Sequence, residues 1–374
     1  MHNKKIYYID TTLRDGEQAP GVSFSIPEKI TIAHMLDVCG IDELEAGIPA
    51  MGDKERQVIK VIADQGFSFR ISTWSRAIKK DIDTAKCCGA DGINISFPVS
   101  DIQLEAINKN RKWVLNSLKE MVGYARNYFA YVSIGAQDAS RAERNFLETF
   151  IILCQECGVD RIRIADTVGC HDPFSCYDLI SRTTNRYPNV RFEYHAHNDL
   201  GMATANTLAA IAAGVSAVST TINGLGERAG NASMDEVVIA VRKTLGRTDK
   251  INSRFFPYLA GYVEKISGRR LSDSKPITGK TILQHESGIH TRSILINKES
   301  YQFIDGPEIG RHDYEIVFGK HSGTFAVLRF FEDKGIRLEK KTLKEIMQQI
   351  KLLSTLRKKA IAEEELLDLY YRMT

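Results

Sequence analysis

RFEYHAHNDLGMATANTLAAIAAGVSAVSTTI (residues 191–222) holds two short runs of β-branched and aromatic side chains with a longer segment between them. RFEYHAH (191–197) and SAVSTTI (216–222) read as strands, and the stretch between them is long enough for a crossover helix. The same alternation extends back through KIYYID (5–10), DELEAG (42–47), FRISTW (69–74), GINISF (92–97), AYVSIG (130–135) and RIRIAD (161–166). Between the strands lie helical patterns such as PEKITIAHMLDVCG (27–40), with proline near its start and glycine past its end, and NRKWVLNSLKEMVGYARN (110–127), with apolar residues three and four apart. Eight strands alternating with helices over about 245 residues predict an α/β fold, a (β/α)8 TIM barrel rather than an open doubly wound sheet.

The alternation stops after VRKTLGRTDK (241–250). GRRLSDSKPITGKT (268–281) and IDGPEIGR (304–311) are turn-rich, and residues 340–373 read as two charged helices. The expected organisation is a catalytic barrel over 1–248, a linker and small subdomain covering the active site over 249–310, and a mostly helical C-terminal region over 311–374.

Composition narrows the function. Apolar residues make up 43% and charged residues 26%, values of a globular chain rather than a disordered or fibrous one. A net charge of +3, from 50 basic and 47 acidic residues, argues against an electrostatically driven nucleic-acid binder and leaves small anions compatible. With no apolar run of the ~20 residues needed to span a bilayer and no secretory h-region, the expected location is the cytoplasm. Seven cysteines, an odd number, read as reduced thiols, and the CxxC of Cys154 and Cys157 falls on a helix face without a second pair to complete a zinc site.

In a barrel the chemistry sits at the C-terminal ends of the strands. His195 and His197 lie two apart at the end of the seventh strand, so they share a face, with Glu193 one step below. Two imidazoles on one face can chelate a metal, and Asp15, in the loop DTTLRDGEQAPG (10–21) after the first strand, would complete a two-histidine, one-carboxylate set with open positions for substrate oxygens. Asn231 can supply a further oxygen. GLGERAGN (224–231) lacks dinucleotide-binding spacing, but its glycines Gly226 and Gly230 expose backbone N–H groups. There Glu227 and Arg228 read either as a loop-shaping ion pair or as substrate contacts.

Four ordered segments, DTTLRDGEQAPG, HAHNDLGMATANTLAAIAAG (195–214), NGLGERAGNASMDEVV (223–238) and HESGIHTRSIL (285–295), resemble the homocitrate synthase and 2-isopropylmalate synthase family of metal-dependent Claisen-condensing barrels over residues 5 to 330. VSDIQLE (99–105) and DASRAERNF (138–146) resemble the homocitrate synthase branch, including the type associated with nitrogen fixation. The resemblance implies a divalent metal (Mg²⁺, Mn²⁺ or Zn²⁺) held by Asp15, His195 and His197 with Asn231 nearby. It further implies Arg14 beside the keto oxygen of a 2-oxo acid, Gln18 and Thr167 positioning that acid, and Glu193 supporting it. Acetyl-CoA is the implied cosubstrate, with Gly226, Glu227 and Arg228 as its candidate loop. His290 and Tyr301 would serve proton removal, reaching the active site of a partner subunit in a homodimer, with His285 and Glu286 as weaker candidates.

Two departures bear on the substrate. Where many homocitrate synthases carry Arg-x-Ser-x-Glu on the fifth strand, this chain has Ser133, Gly135 and Gln137, and an amide cannot titrate in place of a carboxylate. In TWSRA (73–77), Arg76 reads either as a fork for a substrate's distal carboxylate or as a surface arginine. Only ~50 residues follow FGKHSGTFAV (318–327), fewer than an ordinary domain, which disfavours a leucine-regulated isopropylmalate synthase. The expected reaction is condensation of acetyl-CoA with 2-oxoglutarate to homocitrate and CoA. The alternatives are oxaloacetate, pyruvate or 2-oxoisovalerate as acceptor, a hydroxymethylglutaryl-CoA-lyase-like carbon–carbon lyase, and a binding protein without turnover.

Overall fold

The computed structural model describes residues 5–373. Eight parallel strands, β1 (Tyr7–Asp10), β2 (Glu43–Glu45), β3 (Arg70–Arg76), β4 (Gly92–Pro98), β5 (Tyr131–Gln137), β6 (Arg161–Asp166), β7 (Phe192–Ala196) and β8 (Ala217–Thr220), form a closed barrel in chain order. Closure comes from β8 pairing with β1, Tyr7 opposite Ala217 and Asp10 opposite Thr220. Every expected strand is present and each end falls within two residues of its expected place. The helix Ile26–Cys39 starts at a capping box in which Ser25 and Glu28 satisfy each other's backbone groups, and it stops at Gly40, whose φ of 80° is left-handed.

The chain divides into two compact units, Met1–Leu271 and Ser272–Thr374. Residues 249–271 thus pack with the barrel: Asn252 N–H donates to Cys39 C=O at 2.8 Å, and the Asn223 amide donates to Ala260 C=O at 3.0 Å on the helix Phe256–Ser267. The second unit carries the helices Gly288–Ile296, Thr324–Asp333, Lys340–Arg357 and Glu363–Tyr371, and a two-stranded parallel ribbon, Gln284–His285 with Glu315–Ile316. Phe318, Val327, Phe331, Ile346, Ile350 and Leu366 form its own apolar core.

Inside the barrel, layers of branched apolar side chains would be ordinary. Here the inward positions of β2, β6 and β7 are charged. Arg161 forks onto Glu43 at 2.8 Å through both terminal nitrogens, and its Nε lies 2.7 Å from Glu193. Arg163 reaches Glu45 at 2.6 Å and Glu193 at 2.5 Å, Arg14 Nε bonds Glu45, and Ser219 Oγ donates to Glu193. Three arginines balance three glutamates, and none of the six is more than 9% exposed. Charges this deep are tolerated only when paired and hydrogen-bonded.

Removing one member should therefore cost far more than a surface ion pair. Arg163→Met takes from Glu45 and Glu193 one of the two arginines that each faces and leaves the network one positive charge short, and urea unfolding should show a loss of about 3–5 kcal/mol, against the ~1 kcal/mol or less of an exposed pair. A loss at the lower figure would show that the network contributes no more than a surface contact. Asp10 offers a pH test: burial pushes its carboxyl up to about 7 despite hydrogen bonds from Thr12 N–H and Oγ. The folded state then holds a proton that the unfolded chain has released, so this contribution is full below the ordinary carboxylate range and is lost as pH rises through about 7. Asp10→Asn should flatten the decline in stability between those limits, as read from urea midpoints at a series of pH values.

Candidate active site

β7 ends at the C-terminal mouth of the barrel and, by its period of two, aims His195 and His197 at the same point. The loop after β1 brings Asp15 to them: its Oδ2 lies 3.0 Å from His195 Nε2 and 3.5 Å from His197 Nε2, and the two Nε2 atoms are 3.3 Å apart. All three side chains are buried, and one ligand atom from each lies within 4.8 Å of the others. Neither Nδ1 has a partner among the described residues, so strand geometry, not a second layer of hydrogen bonds, orients the rings.

Electrostatics suits a cation. Burial alone would raise the Asp15 carboxyl, but the Arg14 guanidinium and the His195 hydrogen bond outweigh it and hold the group well below the usual carboxylate range. Burial, reinforced by His195, lowers the His197 imidazole to about 4, which keeps it neutral with a lone pair to donate. Asn231 Oδ1 is buried without a hydrogen-bond partner among the described residues, and Asn231 bridges to His197 through the backbone. Two imidazoles, an ionised carboxylate and an unsatisfied amide oxygen make up a donor set that fits a divalent metal.

Arg14 lies beside this cluster, with Nη1 3.5 Å from Asp15 and Nε bonded to Glu45. Gln18 is exposed at the end of the same loop. Thr167, after β6, accepts from Asp138 N–H at 2.8 Å, and on β5 Gln137 Oε1 accepts from Ser96 Oγ at 3.3 Å.

Three expected site residues are placed differently. Glu193 is 0% exposed, with both carboxylate oxygens turned to Arg161 and Arg163, so it belongs to the barrel's ionic interior rather than to a surface that meets substrate. Arg76 is 61% exposed and its fork closes on Asp81 at 2.8 and 3.0 Å, which supports the surface reading and leaves no free fork for a substrate carboxylate. Arg228 does not bond its neighbour Glu227; it grips Asp199 at 2.8 and 2.9 Å and the Thr167 carbonyl at 2.7 Å, tying together the loops after β6, β7 and β8. Sequence reasoning missed Asp199, Glu45, Arg161 and Arg163. The alternation of charge in ELE (43–45) and RIR (161–163) was the available signal for the last three. In the second unit His290 and Tyr301, separated by ten residues, stack with ring centroids 4.0 Å apart, and burial lowers the nearby His285 imidazole.

An eight-stranded barrel that gathers two histidines, a carboxylate and an arginine at its C-terminal mouth defines a (β/α)8 enzyme with a candidate metal centre. The chain belongs to the HMGL-like family, whose model matches residues 5–258, and residues 277–358 match the model described as homocitrate synthase post-HMGL domain-like. It is an acyltransferase enzyme. A protein named 2-isopropylmalate synthase 2 from Caldanaerobacter subterraneus is 42% identical over 369 residues, covering 98% of this chain and 96% of that protein. Homocitrate synthase 1 from Nostoc sp. is 40% identical over 367 residues, with 98% and 97% covered. Relatives under both names match nearly end to end, so length does not separate the two names. The hydroxymethylglutaryl-CoA lyase of Pseudomonas aeruginosa superposes with a TM-score of 0.66 at 18% identity, covering 75% of this chain and 98% of the other, a likeness of fold alone. Among the described residues no helix is long and apolar enough to cross a membrane, and all seven cysteines are free thiols.

Asp15→Asn and His195→Ala should each lower bound divalent metal at least tenfold after dialysis against metal-free buffer, with far-ultraviolet circular dichroism retained. Metal content equal to wild type in both variants would remove the assignment.

Proposed function

We propose that the enzyme joins the methyl carbon of acetyl-CoA to the keto carbon of a 2-oxo acid and then hydrolyses the thioester, with 2-oxoglutarate as the acid and homocitrate and CoA as products. The observation that carries this reading is the convergence of Asp15, His195 and His197 beside Arg14. A divalent metal held by these three residues and Asn231 would act as a Lewis acid toward the acid's keto and carboxylate oxygens. Arg14, held by Glu45, keeps a guanidinium beside the position where the keto oxygen gains charge, and a donor already in place costs no reorganisation as that charge forms. Gln18 and Thr167 border the same mouth and orient the acid. Gln137 contributes a hydrogen-bonding amide in place of a carboxylate.

The acetyl methyl proton is weakly acidic and needs a base at hydrogen-bond reach. The stacked pair His290 and Tyr301 supplies it in this proposal, with His290 taking the proton and Tyr301 fixing the imidazole plane. In the proposed homodimer this pair serves the partner's barrel. Relatives named for homocitrate and for 2-isopropylmalate synthesis support the reaction type equally; the VSDIQLE and DASRAERNF segments favour the first.

Thiol release from acetyl-CoA, followed with 2-oxoglutarate, oxaloacetate, pyruvate and 2-oxoisovalerate in Mg²⁺, Mn²⁺ or Zn²⁺, should be fastest with 2-oxoglutarate. Release that depends on another acid reassigns the substrate, and no release with any acid rejects the synthase reading. Gln137→Glu should change kcat by less than about threefold, since a factor of ten corresponds to about 1.4 kcal/mol of barrier and this half-buried amide is engaged through a single long hydrogen bond from Ser96 Oγ. A gain of tenfold or more would show that the native site lacks a working carboxylate.

A further inference from the structure

The helices Arg144–Glu156 and Pro173–Arg186 leave a cavity of about 160 Å³ between them, bounded also by the turn after β5 and by His171 in the loop after β6. No residue of the candidate metal centre lines it. Leu147, Ile151 and Leu179 give it an apolar wall. Its charged residues are three arginines, Arg144, Arg182 and Arg186, against two carboxylates, Glu148 and Asp178. Asp178 is taken by Arg182, while Glu148 is shared between Arg186 at 2.8 Å and Arg144 at 3.6 Å. The lining thus carries a surplus of positive charge, and Arg144 is the more loosely held of the two arginines on Glu148.

A further observation points to a ligand. Tyr187 lines the cavity at the end of the helix Pro173–Arg186, and its hydroxyl is buried with no hydrogen-bond partner among the described residues. A buried donor left unmatched is costly, and an anionic oxygen is the partner it would gain most from. Size limits what can supply that oxygen: an apolar cavity of about 150 Å³ takes up a molecule no larger than benzene, so the chain behind the charged head is about six carbons long. The walls are also tied to the barrel mouth. Beside the turn after β5, Asp138 is gripped by Arg141 and donates its N–H to Thr167 Oγ at 2.8 Å. Asp166, next to Thr167, accepts the N–H groups of Cys170 at 3.0 Å and His171 at 3.1 Å.

We propose that this cavity is a binding site for a small aliphatic monocarboxylate, separate from the candidate active site, with the chain against Leu147, Ile151 and Leu179 and the carboxylate among the Tyr187 hydroxyl and the arginines. One negative charge matches the surplus of the lining, and guanidinium forks suit a carboxylate. A bound chain buttresses the turn after β5 and His171, and through Asp138 and Asp166 it stiffens the two loops that meet at Thr167. The site therefore gives a small acid a means of acting on the barrel mouth without entering it. The inference does not depend on the proposed condensation.

The test uses hexanoate as the probe and 1-hexanol as its uncharged counterpart, with calorimetry on wild type, Tyr187→Phe and Ala142→Phe. Wild type should bind hexanoate saturably and about fivefold or more tightly than 1-hexanol, the margin expected of charge-assisted over neutral hydrogen bonds. Tyr187→Phe should weaken hexanoate about fivefold and yet unfold at no lower urea concentration than wild type, because the hydroxyl has no partner in the fold to lose. Reduced stability with unchanged hexanoate affinity would make the hydroxyl structural and overturn its role. Ala142→Phe puts a ring into the cavity from its half-buried wall and should abolish binding. With hexanoate bound to wild type, amide exchange at residues 139–142 and 166–171 should slow. No saturable binding to wild type overturns the proposal, as does binding that Ala142→Phe leaves unchanged, which places the acid elsewhere. Equal affinity for hexanoate and 1-hexanol overturns the carboxylate class. If Ala142→Phe does not fold, Arg144→Gln alters an exposed side chain and should weaken hexanoate while leaving 1-hexanol unchanged.

Discussion

The charge-balanced network inside the barrel is the constraint on which the upper half of the molecule rests. Arg161 and Glu43 form its floor, Glu193 and Arg163 its middle, and Glu45 passes the restraint up to Arg14. Each member sits out of water, where an unpaired charge costs several kcal/mol, so no member can swing away without stranding its neighbours. Arg14 thereby inherits its position from β2, β6 and β7 instead of from the mobile end of a long side chain. Glu193 lies two residues below His195 on the same face, so the strand that carries the metal ligands is anchored from beneath as well.

Above that floor the loops are fastened to one another. Arg228 joins the loop after β8 to Asp199 and Thr167, and the bridge between His197 and Asn231 joins it again to the end of β7. An ionised carboxylate, two imidazoles and a fixed guanidinium then face one small volume without any rearrangement being required. That is the arrangement electrostatic catalysis needs, because groups already aligned do not spend free energy on alignment during the reaction.

The fold was legible because strands and helices announce themselves by period. All eight strands and the proline-to-glycine bounds of the first helix could be read from residue pattern. Asp15, His195 and His197 were legible for a related reason: strand ends in a barrel converge, so residues far apart in the chain become candidates for one site. Side-chain partnership was not legible. Arg76 and Arg228 each had two open readings, and the choice depended on Asp81 and Asp199, whose approach depends on loop geometry that no local pattern encodes. Glu193 was misplaced because a strand interior is expected to be apolar, and a charged residue there reads as functional until its two arginine partners are seen. The stacking of His290 on Tyr301 likewise follows from a turn between them rather than from their spacing.

Barrel closure through the β8–β1 pairing has a temporal consequence. Asp15 leaves the ribosome 180 residues before His195, as their numbers show. At about 5–20 residues per second it waits on the order of ten to forty seconds for its partners. Until the last strand docks, the nascent chain exposes two unsatisfied sheet edges and an arginine–glutamate interior whose charges remain hydrated. The first and last strands are therefore the two edges that stay unpaired until the whole barrel has been made, and an unpaired edge is where a strand can add to another chain.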